Sequence, residues 1–545
     1  MNEKLHIPKP ENEPMLDYAP GSPEREELIK KLAELKSQAV DIPLIIGGKE
    51  VRTMKTSDII IPHDNQKTLG SFHKAGAAQV QLAIDAANAA RAGWARTPWR
   101  ERAAIFQKAA QLLAGPWRST LVAATMLGQS KTPHQAEIDA ACELTDNYRF
   151  NPFYLYRLYA QQPPSPVGEK NSLEYRPMEG FIFALTPFNF TAIAGNLPTA
   201  PALMGNTVVW KPASSAVFSA HYLMKLWQAA GLPDGVINMV PGPGGEVGAH
   251  ALDSPDFAGL HFTGTTPVFN SLWTTIARNL YKYKDYPRIV GETGGKGFIF
   301  AHNSCDQEAL KTAIIRGSYE YQGQKCSAAS RAYIPQSLWN SIKDDLIRQI
   351  NGIKMGHCED FSTFMNAVID KTAYDRVKEH LSLAKKAPDA KILAGGGCDE
   401  TQGYFIKPTL IETSNPLFKT MSEEIFGPVM TVFVYADDKF AETLKICDQT
   451  SPYALTGAIF ARDNDAIKEA SDCLADAAGN FYINDKPTGA MVDRQPFGGG
   501  RSSGTNDKVG WPHNLLRWTS ARTIKENLAP PTDYRYPYMG EGKRN

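Results

Sequence analysis

Apolar and polar positions follow two different rhythms along this chain, and the change of rhythm divides it. In the first 150 residues the spacing is helical. Residues 23–38 (PEREELIKKLAELKSQ) carry an apolar stripe among mixed charges, which predicts a solvated amphipathic helix. The alanine-rich stretch from Ala77 to Leu113 predicts a second helical region, and Gln135 to about Phe150 a third. From Phe181 short continuous apolar runs alternate with helical segments: FIFAL, TVVW (207–210), the helix 217–230 stopped by Gly231, VINMV (236–240), LHF (260–262) and a helix near 268–282. Strand–helix alternation with apolar strands predicts a parallel sheet covered on both faces. Ligands of such sheets bind beyond the carboxyl ends of the strands, where the loops 186–190, 211–215 and 263–267 fall. A second alternating region runs from GFIFA (297–301) through a helix at 306–322 and RAYIP to about Gly500. The proline-rich stretch 163–166 and the tail after Ala529 predict extended arms, and Met1 to Pro14 a loose polar arm.

Composition narrows the class. A chain of 545 residues implies two to four domains, and 43% hydrophobic with 21% charged residues is ordinary for a globular protein. Lys plus Arg equals Asp plus Glu at 58 each, which argues against a nucleic-acid binder or a polybasic membrane anchor. No apolar run approaches the ~20 residues that cross a bilayer. Seven scattered cysteines without CxxC pairs argue against a disulfide framework or a zinc site of that type, and predict a reducing, cytoplasmic setting without bound metal.

The candidate chemistry begins at Cys326. Most free cysteines are small buried hydrophobes, but Gly323, Gln324, Ser327 and Ala328 beside this one suit an accessible turn. Glu292 precedes Thr293-Gly294-Gly295, which permits close backbone approach around a carboxylate. A cysteine and a carboxylate together supply a nucleophile for a carbonyl and a base for water. Asn189, in Pro187-Phe188-Asn189-Phe190, reads as a turn asparagine or as an amide donor to an oxyanion. Lys211 and Thr263-Gly264-Thr265-Thr266-Pro267 read as loop residues or as a dinucleotide site. No GxGxxG stands there, and Gly242-Pro243-Gly244-Gly245 matches it poorly.

Six motifs occur in one family's order: Pro187-Phe188-Asn189-Phe190, Trp210-Lys211-Pro212, Phe262-Thr263-Gly264, Glu292-Thr293-Gly294-Gly295-Lys296, Gly323-Gln324-Lys325-Cys326 and Glu423-Glu424-Ile425-Phe426-Gly427-Pro428. In this the chain resembles the aldehyde dehydrogenase superfamily. Residues 317–327, Asn480 to Lys486, Pro496-Phe497-Gly498-Gly499 and Ser503 to Lys508 look like one branch of it, the 1-pyrroline-5-carboxylate dehydrogenases.

The resemblance implies an α/β fold with a Rossmann-type NAD-binding domain (41–150 and 176–290), an α/β catalytic domain (291–500), an N-terminal arm and helix (1–40), and an oligomerisation arm and tail (151–175 and 513–545). It implies NAD-dependent oxidation of L-glutamate γ-semialdehyde to L-glutamate through a cysteine thioester, the second step of proline degradation. Cys326 is then the nucleophile, Asn189 with the Cys326 amide the oxyanion donors, and Glu292 the base. Cofactor contacts are implied for Thr186, Pro187, Phe188, Lys211, Gly264, Thr265, Thr266, Pro267, Val268, Glu424 and Phe426. Substrate contacts are implied for Ser327, Gly489 and Ala490 at the α-carboxylate, Phe190 and Phe497 along the methylene chain, and Glu143 at the amino group. The implied partners are a small-molecule substrate and a second copy of the chain, in a homodimer or a dimer-based assembly.

Three departures stand out. Ser214 replaces a glutamate that holds the adenosine ribose in many relatives, so NADP stays open beside NAD. Phe269 replaces a loop glycine, and Ala490 a serine found in some relatives. Rival readings are a different small semialdehyde as substrate, which loop 485–497 discriminates, and an idle binding scaffold.

Overall fold

The computed structural model describes residues 7–540. Two seven-stranded sheets organise it. In the first, the strand order is Arg288–Glu292, Phe257–Thr263, Phe181–Leu185, Thr207–Lys211, Ile237–Met239, Leu44–Ile46 and Lys49–Val51. The first five are parallel, and the last two add as an antiparallel hairpin on the edge. The parallel part starts at Phe181–Leu185, proceeds to one side through Thr207–Lys211 and Ile237–Met239, then returns to the other side with Phe257–Thr263. The two loops that leave the strands flanking this reversal diverge, and a crevice opens between them. The apolar runs are strands for the expected reason. Their side chains are buried on both faces, as in Phe257–Thr263 where every residue is buried.

The second sheet runs in the order Ala390–Ala394, Thr409–Thr413, Val429–Tyr435, Ala329–Pro335, Gly297–Ala301, Thr456–Phe460 and Asn480–Ile483, with the first strand antiparallel. Separate apolar clusters fill its two faces. A two-stranded antiparallel ribbon of Glu169–Arg176 and Ser520–Asn527 stands away from both sheets, its outer positions largely exposed. Among the described residues no helix is long and apolar enough to cross a membrane.

Several boundaries differ from the periodicity. Ala77 to Leu113 is two helices, Ala77–Arg96 and Trp99–Ala114, because Pro98 cannot continue the first and instead caps the second. Strands fill residues 40–73, where alternating short apolar pairs gave no helical or continuous signal. The third helical region starts at Pro133 and continues to Ala160 through a π-helical turn, Glu137–Glu143. Residues 151–160, the first part of the span assigned to an oligomerisation arm, belong to a helix with Pro152, Phe153, Tyr154 and Leu155 buried.

The expected loose N-terminal arm is corrected by a charge network. Residues 1–6, like 541–545 of the tail, lie outside the described residues. Ile7, Leu16 and Tyr18 of this segment pack on the main apolar core. Arg118, buried, pairs with Glu13 and with the wholly buried Glu137, and it donates to the Pro14 carbonyl. Tyr18 Oη also donates to Glu137, at 2.7 Å, and Asn12 donates to Asp146 at 2.8 Å. Burial leaves these carboxylates without water, so the arm's donors must replace it. Arg118→Ala strands the Glu137 carboxylate; it is expected to lower stability by about 3–5 kcal/mol and to expose residues 7–18 to protease. Cutting no faster than in the parent, with an unchanged melting temperature, refutes the role given to this network.

Candidate active site

Cys326 sits where the helix Gln307–Tyr319 ends and the chain turns sharply toward the strand Ala329–Pro335. Tyr321, Gln322 and Gly323 all have positive φ, at 51°, 58° and 65°. Two non-glycine residues in the left-handed region store strain, and such strain persists only where surroundings over-determine it. Here Gln322 Nε2 donates to the Ser130 and Ala367 carbonyls at 3.0 and 2.7 Å, and its Oε1 accepts from Asn366 N. Gln324 Oε1 accepts from Ile369 N at 2.9 Å. A side chain at Gly323 would strike the Gly427 carbonyl. The turn leaves Cys326 partly exposed, as its small polar neighbours predict. Burial, followed by the carboxylates of Glu292 and Glu424, pushes its thiol well above the usual range.

Glu292 ends the edge strand Arg288–Glu292 of the first sheet. The loop after it crosses over the Cys326 loop so closely that a Cβ at Gly295 would overlap the Cys326 carbonyl oxygen. Gly295 N donates to Glu424 Oε1 at 2.7 Å, and Gly294 N to Thr266 Oγ1 at 3.3 Å. From the other side residues 502–505 hold the loop: Thr293 N donates to Ser503 O, and Thr505 N to Gly291 O. Burial raises the Glu292 carboxyl to about 8; Lys508 nearby opposes the rise and Asp507 adds to it. Its Oε1 is buried without a hydrogen-bond partner, and so is the Lys296 ammonium at the end of the same loop. A base raised toward neutrality, with an open acceptor, suits proton transfer from water.

A cavity of about 660 Å³ opens at the carboxyl ends of the first sheet's strands. Thr186, Pro187, Phe188, Asn189, Lys211, Gly264, Thr265, Val268, Glu424, Phe426 and Cys326 line it together. A dinucleotide suits these walls. The helix Gly244–Asp253 begins on the cavity at Gly244 and Gly245 with no side-chain cap, so its first amides remain free for phosphate. The buried Lys211 ammonium has the Pro212 carbonyl as acceptor at 3.1 Å, which leaves further donors, and burial lowers it to about 8. Glu424 keeps one carboxylate oxygen beyond its bond to Gly295. Thr266 and Pro267, expected with these residues, are not among the lining residues. The Thr266 hydroxyl is engaged by the Ser502 carbonyl and Gly294 N, and Pro267 occupies the first turn of Thr266–Arg278. Asn189 is buried, and its Nδ2 donates to the Gln324 carbonyl at 3.1 Å, which leaves a second hydrogen.

The residues expected at the substrate lie apart from this lining. Ser327 Oγ donates to Thr488 Oγ1 at 2.9 Å, Gly489 has φ 95°, and Phe497 pairs by its backbone with Val509. Ala490 follows Gly489 and is partly exposed. Glu143 closes the π-helical turn, and burial and then Asp139 raise its carboxyl to about 8. Phe190 lies beneath Lys131, whose ammonium is 4.2 Å from that ring and 4.3 Å from the Tyr321 ring.

Lys131 and Asp139 escaped the sequence analysis. They form a wholly buried pair at 2.7 Å, and Asp139 also accepts from Thr191 N and Ala192 N at the start of the helix after Asn189. Gly244 and Gly245 were legible only as a weak glycine cluster, and Lys508 only through its motif.

The chain matches the aldehyde dehydrogenase family over residues 50–524. A mitochondrial delta-1-pyrroline-5-carboxylate dehydrogenase of Dictyostelium discoideum is 53% identical over 539 residues, covering 98% of this chain and 97% of its own. Its Homo sapiens counterpart is 48% identical, covering 97% and 94%. Among solved structures, the Mycobacterium tuberculosis delta-pyrroline-5-carboxylate dehydrogenase bound with NAD superposes with a TM-score of 0.96 at 49% identity, covering 99% of this chain and 100% of that one.

Alkylation tests the electrostatics around the thiol. With its carboxyl near 8, Glu292 is mostly neutral below that pH and charged above it. Glu292→Gln is therefore expected to leave Cys326 alkylation by iodoacetamide unchanged at about pH 6 and to speed it several-fold at about pH 9, by removing a charge that opposes the thiolate. Equal rates at both pH values contradict the proximity of the two groups.

Proposed function

The chain belongs to the aldehyde dehydrogenase family, and from that premise we propose that it oxidises L-glutamate γ-semialdehyde, the open form of 1-pyrroline-5-carboxylate, to L-glutamate with NAD in the second step of proline degradation. The observation that carries the mechanism is the convergence of Cys326 and Asn189 on one cavity with the loops 186–188 and 264–265, beside the buried Glu292. NAD, when bound there, supplies the hydride acceptor.

The chain's own residues do the rest. Cys326 gives up its thiol proton to water, and Sγ attacks the aldehyde carbon. The free hydrogen of Asn189 Nδ2 and the Cys326 amide receive the developing oxyanion, a contribution that only matters as charge builds. The acyl group is then held on Sγ as a thioester. Glu292 takes a proton from water, which attacks the thioester; the Cys326 thiolate leaves the carbonyl carbon and takes up that proton as glutamate departs. Thr186, Pro187, Phe188, Lys211, Gly264, Thr265, Val268, Glu424 and Phe426 bind the cofactor; Thr266 and Pro267 support that loop from behind.

For the substrate, Ser327, Gly489 and Ala490 take the α-carboxylate, Phe190 and Phe497 flank the methylenes, and Glu143 meets the amino group. An ammonium there favours the ionised form of Glu143, against the burial that raises it. Residues 41–150 and 176–290 form the cofactor unit and 291–500 the catalytic unit. The exposed ribbon within 151–175 and 513–545 supports a homodimer, on the ground that an uncovered ribbon edge accepts another strand. Seven free thiols support a reducing compartment, the cytoplasm in our reading; the names of the Dictyostelium and human relatives make the mitochondrion the alternative that cell fractionation separates.

Reduction of NAD by pyrroline-5-carboxylate, with NADP and succinic semialdehyde run in parallel, tests the assignment. Cys326→Ala is expected to abolish turnover by at least about 10³-fold, and Asn189→Ala to lower kcat by about 10²–10³-fold. Faster turnover of succinic semialdehyde, or full activity in Cys326→Ala, overturns it.

A further inference from the structure

Far along the chain from the motifs above, three ligating side chains meet in the interior. His63 stands in the turn between the strands Thr56–Ile61 and Asp64–His73. Cys358 and Glu359 lie in the loop that follows the helix Gln336–Asn351. His63 and Cys358 are completely buried. His63 Nε2 is 3.1 Å from Glu359 Oε2 and 3.6 Å from Cys358 Sγ, and Sγ is 3.4 Å from the same carboxylate oxygen. Tetrahedral zinc, with bonds of about 2.3 Å to sulfur and 2.0–2.2 Å to nitrogen and oxygen, sets donor–donor edges of roughly 3.3–3.6 Å. The two edges to sulfur fall in that range, and the His63–Glu359 edge, at 3.1 Å, has to open slightly to admit the ion.

The surroundings orient two of the three donors. His63 Nδ1 is 3.1 Å from Ser130 Oγ, which fixes the ring and turns Nε2 to the cluster. Lys36, on the helix Pro23–Ser37, binds the other oxygen of Glu359 and leaves Oε2 facing inward. Partners that orient the ligating atoms in this way are a regular feature of metal centres. The His357 ring packs edge-on against that of His63 at 5.2 Å and limits the space around the imidazole.

We propose that His63, Cys358 and Glu359 form a binding site for one zinc-class divalent cation, with water in the fourth position. On binding, the cation accepts the Cys358 thiolate, the neutral His63 Nε2 and one Glu359 oxygen, and the displaced thiol proton passes to solvent. The choice of an imidazole, a thiolate and a single carboxylate favours zinc over the hard cations. The cation joins the helix of Lys36, the His63 turn and the 357–359 loop. Ser130, which steadies His63, also accepts through its carbonyl from Gln322 in the catalytic turn, so the bound cation braces that turn from behind. Such a centre carries no CxxC signature, because its ligands come from positions 63, 358 and 359.

Without metal the same atoms close a hydrogen-bonded triangle, so titration decides between the two. The probe is Co²⁺ added to full-length Cys326→Ala, which removes the catalytic thiol as a competing ligand. One equivalent is expected to give a near-ultraviolet sulfur-to-cobalt band that Zn²⁺ displaces, with a rise in melting temperature. Adding Cys358→Ser is expected to abolish the band. Glu359→Gln, which preserves shape if the serine variant does not fold, is expected to weaken binding at least about 10-fold. Absence of the band in Cys326→Ala, or an undiminished band and affinity in both added variants, overturns the site.

Discussion

One contact of backbone against backbone underlies the whole site. The loop after Glu292 lies on the Cys326 carbonyl with no room for a side chain at Gly295, so a carboxyl anchored on one sheet is placed beside a thiol anchored on the other. Atoms that close cannot shift without breaking the hydrogen bonds on either side, from Glu424 beneath and from residues 502–505 above. Glycine is required at Gly295 by this approach alone, not by an unusual dihedral. Glu424 has two duties in that arrangement: it fixes the loop through one carboxylate oxygen and lines the cavity beside the thiol.

A second constraint acts on Asn189. The buried Lys131–Asp139 pair satisfies two amides at the start of the helix Thr191–Leu203, while the Lys131 ammonium is clasped by Phe190 and Tyr321. A buried pair of this kind adds little stability in itself. Its effect here is positional: it fastens the asparagine loop to the strained turn that carries Cys326. Burial sets the chemistry as firmly as it sets position. It raises Glu292 and Glu143 toward neutrality and opposes ionisation of the Cys326 thiol.

Much of this was legible in the sequence because short apolar runs, glycine pairs and a polar cysteine turn are local signals. The strands from Phe181 to Leu185 and from Gly297 to Ala301 lie where their apolar runs predict. Gly231 stops its helix with φ 95°, as its position suggests. The loops at the carboxyl ends of the strands face the cavity because a doubly covered parallel sheet leaves no other exit. What stayed hidden depends on partners distant in sequence. Nothing local marks Asp139 as the cap of a helix that begins at Thr191, or Glu13 as the partner of Arg118. The edge hairpin at Leu44–Val51 is too short for its alternation to register, and Thr266 turns from the cavity because Ser502, far downstream, claims its hydroxyl.

The thioester on Cys326 is the claim on which this account stands, and its direct test is the mass of a trapped intermediate. Glu292→Gln, mixed with NAD and pyrroline-5-carboxylate and quenched in acid, is predicted to release one burst of reduced cofactor and to carry the glutamyl acyl mass on the peptide containing Cys326. Unchanged steady turnover without a burst, and an unmodified Cys326 peptide, contradict it.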